Sequence, residues 1–227
     1  MSDKIKKTTT RILLLGATGR TGSLALAYAL EKGYQISCLT RDAARVQFQG
    51  KVDLFEGDVT NLDDISKAMQ GCEAVVSILN ISRTSDFPWS PLRTPPTLLS
   101  NAMSSLIPLA KENNLKRIIS CSAWGVGDSE KEIPGWFRWF IKNSNIGVAY
   151  ADHAKQEELL RASGLDYTIV RPTGLTNSSK TQAVRESFEN EPKPRLTISR
   201  KSVAKFMIDA IDRADLKNKQ ITISAGK

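Results

Sequence analysis

Short apolar runs of strand length alternate with stretches of helical spacing along nearly the whole chain. The runs are rich in Ile, Val and Leu, which is typical of strands that are buried on both faces of a parallel sheet. The predicted strands cover residues 12–15, 35–39, 52–55, 74–79, 117–121, 167–170 and 220–223. The predicted helices cover residues 21–32, 62–69, 97–113, 150–162 and 201–213. This alternation predicts an α/β fold with a doubly wound, mostly parallel sheet of about seven strands and helices on both faces.

Two segments interrupt the alternation, and both follow predicted strands. Residues 82–96 contain four of the nine prolines, and residues 123–147 contain three of the four tryptophans. Ligands of open α/β sheets bind beyond the carboxyl ends of the strands. We therefore predict a single domain over residues 11–227, with lid segments near residues 82–96 and 123–147.

The formal net charge of the chain is +8, which would suit an anionic partner. Several positive charges lie in residues 1–10, which have no apolar core and which we interpret as a flexible basic arm, not a signal peptide. The other basic residues are scattered and match no nucleic-acid-binding motif, so we expect no nucleic-acid partner. No apolar run approaches the roughly 18 residues of a membrane span. We predict a cytoplasmic protein without membrane insertion, and we expect a monomer.

The cysteines and the histidine argue against a metal site. Cys38, Cys72 and Cys121 are odd in number, lack CxxC spacing and lie in or beside apolar segments, so we expect buried, reduced thiols. His153 is the only histidine. A zinc site therefore has almost no ligands available, and we predict no metal.

A glycine-rich motif, GATGRTG, joins the first predicted strand to the first predicted helix. Gly16 permits a tight turn, Gly19 leaves room for a pyrophosphate beside the backbone, and Gly22 lets the helix pack closely on the strand. The amides and the dipole of the helix N-terminus attract phosphate. Three glycines alone also suit ordinary turns, but their place between a strand and a helix indicates the dinucleotide site of a Rossmann-type domain.

Arg41 and Asp42 follow the second predicted strand, where the residue that selects the adenosine ribose is expected. A carboxylate there binds the 2′-hydroxyl of NAD, whereas a guanidinium suits the 2′-phosphate of NADP. Arg20, inside the glycine loop, could reach the same phosphate from its other side. Two guanidinium groups favour NADP(H). An inward-pointing Asp42 would favour NAD instead, and a merely solvated Arg41 would select neither.

Four motifs together resemble one family. They are GATGRTG at residues 16–22, TRD at 40–42, GDVTN at 57–61 and HAKQEELLRASGLDYTIVRPTGLTN at 153–177. They are similar to the atypical short-chain dehydrogenase/reductases of the NmrA-like, NAD(P)H-binding group, which includes the biliverdin-IXβ/flavin reductases. The resemblance extends from about Arg11 to the last predicted strand.

The resemblance implies particular cofactor contacts. Asp58 and Val59 would flank the adenine, residues 77–80 would line the path to the nicotinamide, and residues 172–175 would meet its carboxamide. From the residues alone, Asp58 is equally consistent with a turn cap and residues 171–174 with a chain-turning loop. The predicted cofactor-binding residues are Gly16, Thr18, Gly19, Arg20, Thr21, Gly22, Arg41, Asp58, Val59, Ser77, Leu79, Asn80, Lys155, Pro172 and Thr173.

The proton relay of the larger dehydrogenase superfamily is incomplete in this chain. That relay uses a serine, a tyrosine and a lysine four residues after the tyrosine, so that the ammonium lowers the pKa of the phenol. Ser122 ends the fifth predicted strand, and Lys155 lies on the expected helix. Ala151, however, occupies the place of the tyrosine, and Tyr150 is turned about 140° away from Lys155.

Reduction of a conjugated acceptor needs less from the protein. Hydride transfer to a flavin, a quinone or a tetrapyrrole leaves a stabilised anion that water can protonate. We therefore predict an NADPH-dependent reductase of a small-molecule acceptor, with Ser122 and Lys155 as catalytic residues. His153 is a candidate proton donor because imidazole titrates near neutrality. It lies about 200° around the helix from Lys155, so at most one of the two faces the cofactor.

Two alternatives stay open. The aromatic residues of segment 123–147, interspersed with Arg138 and Lys142, could form a flat pocket for an aromatic acceptor or the apolar face of a lid helix. The absence of the tyrosine is also compatible with a protein that binds NADP(H) without turnover, as a redox sensor or an assembly factor. The aromatic residues concerned are Trp124, Trp136, Phe137, Trp139 and Phe140.

Overall fold

A computed structural model of the protein describes residues 10–226. Nearly all of the predicted basic arm, residues 1–9, lies outside the described residues. The strands, in chain order, are β1 Arg11–Leu15, β2 Gln35–Thr40, β3 Asp53–Glu56, β4 Ala74–Ser77, β5 Arg117–Cys121, β6 Tyr167–Pro172, β7 Gly174–Thr176, β8 Val184–Ser187, β9 Thr197–Ser199 and β10 Lys219–Ala225. The α-helices are α1 Gly22–Glu31, α2 Leu62–Met69, α3 Leu98–Glu112, α4 Gly135–Lys142, α5 Ile146–Ala162 and α6 Arg200–Asp209.

Eight strands form the central sheet, in the order β3-β2-β1-β4-β5-β6-β10-β8. Every neighbouring pair in this sheet is parallel except β10 with β8. β7 and β9 pair separately in a two-stranded parallel sheet. The predicted doubly wound sheet is therefore confirmed, with one antiparallel edge strand added.

The order of the strands reverses between β1 and β4. Leu13 in β1 pairs on one side with Ser37 of β2 and on the other with Val75 of β4. The connections that leave these strands diverge to opposite faces of the sheet, and a crevice opens at their carboxyl ends, where such sheets bind ligands. The glycine loop lies at this crevice because it follows β1 directly.

Alternate residues of the central strands face two separate halves of the core. Ile12 and Leu14 pack on the side of α1 and α6, whereas Leu13 and Leu15 pack on the side of α2, α3 and α5. All four side chains are at most 1% exposed. Burial on both faces explains why the apolar runs in the sequence are almost continuous.

The two segments predicted as lids lie against each other. The indole Nε1 of Trp89 donates a hydrogen bond to the carbonyl oxygen of Asn143 at 2.6 Å, and the backbone amide of Asn145 donates to the carbonyl oxygen of Pro88 at 3.0 Å. Segment 123–147 contains α4, and α5 begins at Ile146, four residues before the predicted start. The strands that the sequence pattern did not indicate, β7, β8 and β9, are short, and β8 is a polar edge strand.

Candidate functional site

The glycine loop packs tightly against the end of β4. Gly16 has a φ of +87°, and a Cβ atom there would lie 2.7 Å from the carbonyl oxygen of Ile78. A Cβ atom on Gly22 would lie only 2.0 Å from the carbonyl oxygen of Gly16. The amide of Gly19 closes the turn with a 3.0 Å hydrogen bond to Gly16. A side chain at Gly22 would therefore collide with the backbone of the loop at Gly16. The glycine is needed for this contact, whereas the sequence predicted that it permits packing of the helix on the strand.

No side chain of the first turn competes for the N-terminus of α1, although the amide of Ser23 donates to the carbonyl oxygen of Gly19 at 2.9 Å. Thr21 precedes the helix without a side-chain capping hydrogen bond, and the first turn contains no acidic residue. The first amides of a helix point outward without intrahelical partners, and they carry the positive end of the helix dipole. This arrangement suits a phosphate group.

Residues at the ends of β2 and β3 are adjacent at the same edge of the sheet. The amide of Gly57 donates to the carbonyl oxygen of Thr40 at 2.9 Å, which brings Asp58 near Arg41. Hydrogen bonds from Thr60 lower the pKa of Asp58, and the charge of Arg41 adds to this effect. Asp42 accepts a hydrogen bond from the amide of Ala44 at 3.1 Å, so its carboxylate faces its own turn.

The orientation of Asp42 bears on the choice between NAD and NADP. Its carboxylate caps the short helical turn Ala43–Arg45. Arg41, which is exposed, directly follows β2. Arg20 is also exposed and forms an ion pair with Asp86 of segment 82–96. Arg20 and Arg200 line a shared cavity of about 300 Å³. Arg20 thus lies beside Asp86 and Arg200, whereas Arg41 lies near Asp58.

Ser122 belongs to a buried charged network. Its hydroxyl donates to Oε1 of Glu157 at 2.6 Å, and the Nε of Arg171 donates to the same oxygen at 2.9 Å. Glu157 is 0% exposed and Arg171 4%. Burial disfavours the charge of Arg171, but hydrogen bonds and charges from Glu157 and Asp128 outweigh it and raise the pKa of Arg171. The hydroxyl of Ser122 is thus engaged in holding this network together.

The structure does not bring Ser122 and Lys155 together. Lys155 lies on the exposed side of α5 with Ala151 and Glu158. Glu157, to which Ser122 bonds, is about 200° around the helix from Lys155. Within residues 10–226, the ammonium of Lys155 forms no ion pair or hydrogen bond. Ser122, which follows β5, therefore contacts the buried face of α5, whereas Lys155 lies on its exposed face.

His153 lies on the buried side of α5, one turn before Glu157. It is 4% exposed, and its Nδ1 lies 3.4 Å from Nε2 of Gln156. Gln156 in turn donates to the carbonyl oxygen of Cys121 at 3.2 Å. Burial lowers the pKa of His153 to about 4, against an opposing effect of Asp152. The imidazole is therefore neutral near pH 7, which favours a packing role.

Glu157 and Arg171 are the two residues of this region that the sequence reasoning missed. The available signal was spacing: His153 and Glu157 are four residues apart, and positions four apart share one face of a helix. Arg171 is the only charged residue of β6, Tyr167–Pro172, and a charge in such a strand is seldom buried without a partner.

The aromatic residues of segment 123–147 divide between core and surface. Trp124 is 3% exposed and packs with Ile133 and Ile141, whereas Trp136 and Trp139 are 65% and 64% exposed. Four of the five aromatic residues lie on α4, so this segment forms a helix, as the interpretation as a lid helix expects.

Between residues 10 and 226, no three His, Cys, Asp or Glu side chains converge on a position that could hold a metal ion. Within the same range, no helix is both long enough and apolar enough to span a bilayer.

Comparison with known proteins identifies the family. A model of the NAD(P)H-binding family matches residues 16–214. The chain belongs to this family. The match begins at the first glycine of the loop and covers all the strands of the sheet except β1 and β10, which confirms the predicted family and its dinucleotide cofactor.

The relatives of this chain differ in what their names describe. The chain is 26% identical to sanguinarine reductase of Eschscholzia californica, over 99% of this chain and 92% of the reductase. It is also 26% identical to a photosystem II assembly factor of Trieres chinensis, over 95% of this chain. The chain spans only 64% of the length of that assembly factor.

Solved structures share the fold of this protein. A short-chain dehydrogenase/reductase from Veillonella parvula, crystallised in complex with NADP, superposes with a TM-score of 0.77 and 22% identity. The match covers 95% of this chain and 94% of the other.

Proposed function

We propose that this protein is an NADPH-dependent reductase that transfers hydride to a conjugated small-molecule acceptor such as a flavin or a quinone. The observation that carries the proposal is the glycine loop, in which Gly16 and Gly22 pack tightly and α1 begins without a side-chain cap. The chain also belongs to the NAD(P)H-binding family. The reductase among its relatives supports the assignment of a reductase.

The residues at the crevice fit the cofactor. The hydroxyl Oγ1 of Thr173 is buried and, among the described residues, has no hydrogen-bond partner. A buried hydroxyl without a partner is costly, so a ligand amide there would relieve the cost. We assign Thr173, with Pro172, to the nicotinamide carboxamide, and residues 77–80 to the path that leads to it. Thr18 and Thr21 flank the phosphates in the glycine loop.

The adenosine end would lie between β2 and the glycine loop. Arg41 and Arg20 supply the guanidinium groups for a 2′-phosphate, because Asp42 is turned to its own backbone. Asp58 and Val59 would flank the adenine ring. The NADP found in the Veillonella parvula protein agrees with this choice of cofactor.

The chemistry requires one hydride and one proton. When bound, NADPH supplies the hydride, and the acceptor also takes up one proton from water, which yields the reduced acceptor and NADP⁺. Ala151 provides no phenol, and His153 is neutral and buried, so solvent is the proton source. Ser122 and Lys155 stay predicted catalytic residues. Holding the acceptor against the nicotinamide is then the main contribution of the protein.

The deciding experiment is an acceptor screen followed by the absorbance of NADPH. We expect NADPH oxidation with at least one flavin or quinone, and no oxidation by a variant in which Gly22→Val blocks the loop. Binding of NADPH without oxidation across the whole panel would overturn the reductase proposal.

A second candidate function is binding of NADP(H) without turnover, in assembly or regulation. The substitution of the relay tyrosine by Ala151 and the assembly factor among the relatives favour this alternative. The acceptor screen, combined with calorimetry, distinguishes the two functions. A protein that only binds the cofactor would bind NADPH in the calorimeter, and the absorbance of NADPH would stay constant with every acceptor.

Three broader expectations accompany the proposal. We propose one domain over residues 11–227, a monomer and a cytoplasmic location. Size-exclusion chromatography with light scattering would check the oligomeric state, and fractionation of the source cells would check the compartment.

A further inference from the structure

A cavity of about 390 Å³ lies between α4, α5 and the segment that follows β5. Its volume falls in the range of about 300 to 1,000 Å³ that is typical of small-molecule sites. The wall is mainly apolar, which suits the body of a planar ring system. The apolar side chains that line it are Val126, Ile133, Ile141, Tyr150, Ala151 and Ala154.

The cavity begins close to the proposed site of hydride transfer. Gly125 lines the cavity and is three residues from Ser122 at the end of β5. Three residues span at most about 11 Å between Cα atoms, so one elongated acceptor could reach from the nicotinamide edge into the cavity. The hydroxyl of Tyr150 donates to the carbonyl oxygen of Trp124 at 3.2 Å and fixes this wall to the same segment.

Arg138 lines the cavity and, within the described part of the chain, forms no ion pair with a carboxylate. Its Nε is buried and has no hydrogen-bond partner among the described residues. Glu130 also lines the cavity, but its carboxylate forms an ion pair with Lys142 at 2.7 Å. The hydrogen bond from Lys142 lowers the pKa of Glu130, and the charge of Arg138 adds to this effect from a longer distance. Within residues 10–226, no carboxylate oxygen lies within 4.0 Å of the Arg138 guanidinium. Because the Nε is out of reach of solvent, the terminal nitrogens of the Arg138 guanidinium are the donors that an anionic ligand in the cavity would meet.

We propose that this cavity binds the acceptor, and that the acceptor carries a carboxylate that Arg138 binds. The inference rests on the proposed reductase function for the identity of the ligand as an acceptor. A guanidinium presents two parallel N–H donors that match the two oxygens of a carboxylate. Glu130 and Lys142 of the lining offset each other, which leaves Arg138 as the one excess positive charge. This balance matches one carboxylate better than a phosphate monoester, which carries nearly two negative charges near neutral pH. The ligand class is therefore a conjugated ring system with a single carboxylate.

Binding of a matched pair of probes tests the site. Anthraquinone-2-carboxylate and its uncharged carboxamide would be titrated by calorimetry, both without cofactor and with excess NADP⁺. We expect Arg138→Gln to raise the Kd of the carboxylate about 10- to 100-fold and to leave the Kd of the carboxamide unchanged. Arg138→Lys should recover part of the affinity, because it keeps the charge without the planar pair of donors.

Lys131→Gln is the matched control, because Lys131 is an exposed cation of the same segment that does not line the cavity. Equal loss in Arg138→Gln and Lys131→Gln, or no loss in either, overturns the inference. Circular dichroism and thermal unfolding of each variant establish that it is folded. If Arg138→Gln proves unfolded, discrimination between the two probes by wild type and Arg138→Lys decides the question.

NADPH oxidation separates this inference from the proposed function. If NADPH is oxidised with the uncharged probe and Arg138→Gln does not change the Kd of the carboxylate probe, the reductase function is supported and the carboxylate site is contradicted. Binding of the carboxylate that depends on Arg138, without oxidation by any acceptor, leaves a ligand site and removes the reductase.

Discussion

Arg20 and Asp86 form a two-point ion pair, in which the two terminal nitrogens of Arg20 donate to the two carboxylate oxygens of Asp86 at 2.9 and 2.7 Å. The pair joins the glycine loop to segment 82–96. That segment is bonded in turn to segment 123–147 through Trp89 and Asn143. A phosphate bound by Arg20 would therefore compete with a carboxylate of the lid.

This competition predicts that Asp86→Asn binds NADPH more tightly than wild type. Both side chains are exposed, at 56% and 78%, and exposed pairs contribute little. We expect the Kd for NADPH to fall about two- to fivefold, measured by fluorescence titration at low salt. Glu158→Gln removes an exposed carboxylate elsewhere and should leave the Kd unchanged. A weaker complex in Asp86→Asn would mean that the lid carboxylate supports the bound state.

Arg41 should determine the preference for NADPH over NADH. We expect Arg41→Ala to weaken NADPH binding about 10- to 100-fold, the loss typical of a hydrogen bond between charged groups, and to leave NADH binding unchanged. Arg45→Ala is the control, because Arg45 is an exposed arginine of the same connection. The measurement is the ratio of the two dissociation constants by calorimetry. A ratio that Arg41→Ala does not change would contradict the assignment of the 2′-phosphate to this side chain.

Gly22→Ala should destabilise the protein and weaken NADPH binding together. The added methyl group would overlap the carbonyl oxygen of Gly16, and overpacking of this kind costs about 1–3 kcal/mol or more. Urea unfolding measures the loss. Gly135→Ala is the control, since a Cβ atom there has no neighbour within 4 Å, and its free energy of unfolding should change by less than about 1 kcal/mol. If Gly22→Ala has the same free energy of unfolding as wild type, the loop moves to accommodate the methyl group, and the prediction is wrong.

His153 should make folding stability fall in mild acid. Burial lowers the pKa of the folded-state imidazole to about 4 from its ordinary value of 6.5. Below pH 6.5 the unfolded chain binds a proton that the folded protein excludes, so stability decreases from pH 6.5 towards pH 4 and is constant above this range. The loss at about pH 5 is about 2 kcal/mol relative to about pH 7.5.

The variant that tests this dependence is His153→Gln, which cannot take up a proton in this range. We expect the difference in unfolding free energy between the two pH values to be about 2 kcal/mol smaller in the variant than in wild type. Carboxylates titrate alike in both proteins, so the comparison isolates the only imidazole of the chain. Equal pH dependence in both proteins would place His153 in contact with solvent.

The fold and the start of the cofactor site could be read from the amino-acid sequence because they depend on local patterns. Apolar runs near residues 12–15 and 74–79 predict strands that are buried on both faces, and these appear as β1 and β4. Gly16 and Gly22 follow from the backbone requirements of one turn, which are set by neighbours in the chain. The family match over residues 16–214 agrees with that local reasoning.

Only the tertiary structure decided which polar side chains meet. The sequence places Ser122 and Lys155 in plausible elements, but the rotation of α5 against the sheet buries His153 and Glu157 and leaves Lys155 exposed. That rotation depends on long-range packing, including the contact of Glu157 with Arg171, which no local pattern contains. The pairing of Arg20 with Asp86 likewise joins segments that are distant in sequence. Charge and hydrogen-bonding partners are set by proximity in space, whereas periodicity and turn chemistry are set along the chain.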